Sequence, residues 1–132
     1  MRVKPAILAA GFLVVALPAW SHDYSLDECL EGGDFIRNAA LSRDNGISGM
    51  EFLDRMRSDI VLIQAFPPEL RWFVQDAEDE TLLLTHAALV FDEPRAPESH
   101  QSSFLEACLA VRRVSSAEDA ARSTTRNPAE PR

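Results

Sequence analysis

Lysine is almost absent from this 132-residue chain: Lys4 is the only one, and the other twelve basic residues are arginines. Glycine is nearly as scarce, with five in all and none in the 83 residues that follow Gly49. Tight β-hairpins lean on glycine or asparagine at positive φ, so that stretch argues against a hairpin-built sheet and for helices. Basic charge is short as well, with 13 Lys+Arg against 21 Asp+Glu and a formal charge of −8. A chain of that sign gains nothing from a nucleic acid or an anionic membrane surface, because neither offers counter-charge. There is no G-x-S-x-G in the sequence, hence no nucleophile elbow of the hydrolase kind. The length allows one domain with a core and is too short for two ordinary ones.

What is present begins with an address. Arg2 and Lys4 precede an uncharged run from Ala6 to Leu17; Pro18 breaks it, and Ala19-Trp20-Ser21 places small residues at −3 and −1. That pattern predicts a secretory signal peptide over 1–21, cut between Ser21 and His22. The apolar run is 12 residues long, well short of the roughly 20 that a membrane-spanning helix needs. Cleavage takes both leading cations away, leaving 11 basic against 21 acidic residues and no lysine. A lysine-free chain has no Schiff-base chemistry, no P-loop lysine and no lysine general base. The expected product is periplasmic or secreted, without a stable membrane anchor.

An even cysteine count in an exported chain reads as a bridge, and Cys29 and Cys108 allow one intramolecular pairing. Redox pairs usually keep their sulfurs close in sequence, as in C-x-x-C, which these two do not.

The punctuation of the remaining chain is helical. Ser25-Leu26-Asp27-Glu28 has the form of a capping box and opens a helix with apolar or small residues at 26, 29, 30, 33, 36 and 40. It should end near Arg43, before Asn45-Gly46. Ser48 and Glu51 open a second helix, through Met56 and Ile60 to Phe66, halted by Pro67-Pro68. A short third helix is expected through Leu70, Phe73 and Val74. The acidic run Asp76–Glu80 suits the start of a fourth, Thr81 to about Phe91. Pro97 opens a fifth, carrying Phe104, Leu105, Cys108 and Val111. The prediction is an all-α bundle of about five helices over 22–114, with the first helix stapled to the last. From 115 to 132 Ser, Thr, Arg, Pro and Glu dominate, the composition of a disordered tail.

Candidate chemistry is sparse. Gly32-Gly33-Asp34-Phe35 matches the opening of a diguanylate-cyclase signature, but Ile36 stands where an acidic residue is needed. Asp44-Asn45-Gly46 resembles the start of a calcium loop, yet its closing glutamate is missing, with Arg55 nearby. His86 falls inside the most apolar helix as a core imidazole, and His100 at a helix start, exposed. His22 would become the N-terminal residue after cleavage, able to chelate copper through its amine and ring if another imidazole came near. The carboxylates at 76–80 are the other candidate pair for chemistry. Histidines and cysteines form no ligand-spaced cluster, so no metal or cofactor is expected and no catalytic residue is assigned. Arg71-Trp72-Phe73, with Phe66 and the diproline before it, is the densest aromatic segment, and exposed Trp and Arg are residue types that dominate binding hot spots. Phe66, Arg71 and Trp72 are the partner-binding candidates, Trp72 turned aside from the core with Arg71; the alternative is that Trp72 simply caps the end of the bundle.

The leader, a helical bundle of about 90 residues and the pair Cys29–Cys108 together resemble two kinds of small periplasmic protein. One is the HdeA-like acid chaperones, the other the Tai-type immunity proteins of type VI secretion. Only the two cysteines carry over. The resemblance implies a non-enzymatic module that binds another periplasmic protein; the rival reading is a small exported enzyme or metal carrier using His22 or the 76–80 carboxylates.

Overall fold

The computed structural model describes residues 24–125, and every regular element among them is helical. The first helix, α1, spans Leu26–Asp44 and opens on the expected capping box: Ser25 Oγ accepts from the Glu28 amide at 3.1 Å, and Glu28 Oε2 accepts from the Ser25 amide at 2.7 Å. Gly46, at φ +93°, turns the chain after it. Helix α2 spans Gly49–Gln64, capped by Ser48 Oγ on the Glu51 amide. Helix α3 is Ala77–Asp92, and α4 is Pro97–Thr125.

Two expectations about elements fail. In place of a third helix through Phe73 there is one 3-10 turn, Pro68–Leu70, and then irregular chain, leaving four α-helices among the described residues. The cause is Phe73, whose φ of +46° no α-helix can hold. Nor does the last helix stop at 114: it runs on to Thr125, so residues 115–125 are exposed helix where composition predicts a disordered tail. Serine, alanine and arginine permit helix as readily as coil, and composition alone does not separate the two. Residues 1–23, including the leader and His22, and residues 126–132 lie outside the described residues.

Helices α1 and α4 form the principal pair and run antiparallel. Cys29 and Cys108 meet at one end with their sulfurs at disulfide distance, 2.07 Å; Asp34 accepts from Gln101 at 2.7 Å; Arg37 meets Glu98 at 3.3 Å further along. Helix α3 packs on both, and α2 joins the bundle mainly through α3. The core between them holds Ile36, Ala40, Leu83, Val90 and Phe104. The buried stripe of α1 is Cys29, Gly32, Gly33, Ile36, Ala39 and Ala40. Leu26 and Leu30, expected beside Cys29, face outward. Val111 is also more exposed than expected, because the antiparallel register brings α1 to its first turn there and nothing of α1 remains to cover it.

Candidate functional site

The segment between α2 and α3 carries the aromatic cluster, and its shape follows from Arg71. The Arg71 guanidinium donates through Nε to the Phe66 carbonyl at 2.7 Å, through Nη1 to that of Gln75 at 3.0 Å and through Nη2 to that of Gln64 at 3.0 Å. Three carbonyls from both ends of one excursion converge on a rigid planar fork, so the excursion closes on itself. Arg71 is thereby a structural clamp and not the outward cation expected of a partner contact.

Two residues on, the backbone turns sharply. The Val74 amide donates to the Trp72 carbonyl, and Phe73 takes the left-handed conformation that non-glycine residues seldom adopt. The turn separates two aromatic side chains. Phe73 drops into the core, stacked on Tyr24 at 5.0 Å and tilted against Phe104 at 5.6 Å. Trp72 stays half-buried, with its ring 5.2 Å from Phe35. Trp72 is therefore a wall residue, not a side chain standing clear of the bundle.

That wall belongs to an apolar pocket of about 280 Å³. Phe35 of α1 and Trp72 face Phe52, Met56, Ile60 and Ile63 of α2, while Val74 and Leu83 close the floor and Arg55 and Asp59 stand at the lip. Apolar side chains are also exposed at the end of α2 and just after it: Leu62 is 65% exposed, Phe66, past the helix end, 55%, and Leu70 on the 3-10 turn 70%. Phe66, one of the partner-binding candidates, is thus exposed, although the sequence places it at the end of the apolar run of the second helix. Phe35, Phe52, Met56 and Ile63 were not named as site residues from the sequence, although α2 has more apolar positions than one core-facing stripe requires.

Two of the 76–80 carboxylates, Asp76 and Asp79, build the start of α3. Asp76 Oδ1 caps the helix, accepting from the Glu78 and Asp79 amides at 2.9 and 3.0 Å. Asp79 is fully buried, accepts from the Tyr24 hydroxyl, and takes the Gln75 and Asp76 amides at 2.8 and 3.3 Å. Burial, and then the neighbouring Asp79 carboxylate, hold the Tyr24 phenol well above its ordinary range. The pair ties the start of the described chain to the start of α3.

The histidines divide differently from expectation. His100 is 2% exposed, not exposed, because it shares one face of α4 with Phe104 and Cys108 at four-residue spacing. Its Nε2 donates to the Glu93 carbonyl at 2.9 Å, which leaves Nδ1 to accept from Arg95 Nη2 at 3.5 Å. Burial lowers its pKa, and the nearby Arg95 and Arg43 charges add to that. His86 is half-buried, edge-on to Phe104 at 5.3 Å, and its pKa is lowered chiefly by burial. Among the described residues no three His, Cys, Asp or Glu side chains are grouped to hold a metal ion, and no helix is long and apolar enough to cross a membrane.

Comparison of the chain with protein-family models, with curated proteins and with solved structures gives no match.

Proposed function

We propose that this protein is an exported, non-enzymatic interaction module, of the inhibitor, chaperone or immunity kind, which captures another periplasmic protein on the α2 groove. One observation carries the reading: an apolar pocket walled by Trp72, Phe35 and Phe52 lies along α2, and large apolar side chains are exposed near the end of that helix and just after it, at Leu62, Phe66 and Leu70. Exposed apolar surface near a concavity marks interaction sites on soluble proteins, and a partly buried tryptophan at its wall is a common anchor point. Export rests on the leader pattern at 1–21 and the cysteine pair. The rival enzyme reading draws little from the acidic run, since Asp76 and Asp79 serve as cap and buried acceptor.

Site-specific photo-cross-linking tests it. A photoreactive phenylalanine analogue at position 66 should give one dominant adduct in cells, and the same probe at position 119, on the exposed end of α4, should not. Equal adducts from both positions, or none from position 66, would contradict the assignment of the groove.

A further inference from the structure

Resting on that reading of the groove, we infer that its partner presents a cationic amphipathic helix, with one bulky apolar side chain seated in the Trp72 pocket. Size comes first. Pockets for cofactors and drug-sized ligands run from about 300 to 1,000 Å³. At about 280 Å³, this one lies at the bottom of that range, and it is open to solvent instead of closing over a ligand. It suits one anchor side chain, with apolar neighbours laid against Leu62, Phe66 and Leu70. Helices in grooves supply anchors at i, i+3, i+4 and i+7 in that manner.

Charge then selects among partners. Residues 51–80, which run from α2 through the excursion into the first turn of α3, contain eight carboxylates, of which Asp76 and Asp79 serve as cap and buried acceptor, and three arginines. Arg71 is enclosed by backbone carbonyls, and Arg57 is paired with Asp54 at 3.4 Å. Arg55, exposed beside Asp59 at the lip, has no ion pair among the described residues. Exposed Glu69 adjoins Leu70, and Glu80 reaches the end of α2, where it accepts from Gln64 Nε2 at 3.2 Å. A second copy of this chain would bring the same excess of carboxylates against itself. An anionic lipid surface would be repelled as well. A helix with lysine or arginine on its polar face is drawn in, and its apolar face meets Leu62, Phe66 and the pocket.

Three tryptophan-free peptides of about 18 residues, sharing one leucine face and differing only in a Lys, Gln or Glu polar face, test this against the full chain. Fluorescence anisotropy of the labelled peptides should show the Lys peptide binding about tenfold tighter than the Gln peptide, with the Glu peptide weakest. The gap should close as salt rises, and Asp59→Asn with Glu69→Gln should weaken the Lys peptide several-fold without moving the Gln peptide. Equal binding of all three, or a ranking that survives high salt or ignores those substitutions, overturns the cationic partner while leaving the groove intact. Loss of all three on Phe66→Asp places them in the groove. Binding insensitive to Phe66→Asp, or no binding by any peptide, removes the groove reading and this inference with it.

Discussion

Gly32 is where a single atom decides the packing. A Cβ built there would lie 2.5 Å from Phe104 Cε1 and 2.7 Å from Cζ, ring atoms locked in the core. At Gly33 the nearest atom is the flexible Gln101 Cγ at 3.4 Å. Gly32→Ala should therefore destabilise by about 1–3 kcal/mol through overpacking, whereas Gly33→Ala should be neutral or gain up to about 1 kcal/mol of helix propensity. Urea melts of the two variants separate these outcomes. The Gly-Gly that matched a cyclase signature is thus a contact between helices, and its reason was invisible in sequence because Phe104 lies 72 positions away. The histidines give the second prediction at this scale. Both have folded-state pKa values below the ordinary 6.5, so the unfolded chain binds protons more readily than the folded one. Stability is full above about pH 6.5 and declines as the pH falls through and below it. His86→Gln combined with His100→Gln should flatten the fall in urea midpoint between about pH 7 and 5. An unchanged slope would assign acid sensitivity to carboxylates instead.

Two helix starts were legible because caps are local chemistry: Ser25 and Ser48 each hold an amide three residues ahead, whereas α3, expected from Thr81, begins at Ala77 under the Asp76 cap. The fate of the segment after Pro68 was not, because it is settled by Arg71 gathering carbonyls and by Phe73 reaching Tyr24 and Phe104, contacts that no local pattern encodes. The same limit hid the pocket, whose walls come from four separated stretches of chain. Helix α4 outruns its partner, and beyond Val114 it touches little of the bundle. Truncation after Val114 should leave the melting temperature almost unchanged, while far-UV circular dichroism loses the signal of about one exposed helical segment. A large drop in melting temperature would show that residues 115–125 pack on something within the chain.

Across the whole molecule, the cysteine pair joins positions 79 residues apart and fixes the antiparallel α1–α4 pair at the end where α1 begins. In the chain-entropy model a bridge of that span contributes up to about 4.5 kcal/mol, a large part of the 5–15 kcal/mol typical of a domain. Cys29→Ser with Cys108→Ser should lower the urea midpoint accordingly. This architecture, helices first and last under one staple, could be read from cap patterns, glycine scarcity and cysteine count together. The pocket could not, since the excess of apolar positions on α2 becomes a concavity only once α1 and Trp72 stand opposite. The most direct measurement of the central claim takes the partner captured from position 66 and compares its affinity for the native chain and for Phe66→Asp. Phe66 is more than half exposed, so the substitution should leave the melting curve in place and weaken binding by about 2 kcal/mol or more, some thirtyfold in Kd. Unchanged affinity with an unchanged melting curve would contradict the groove as the functional surface.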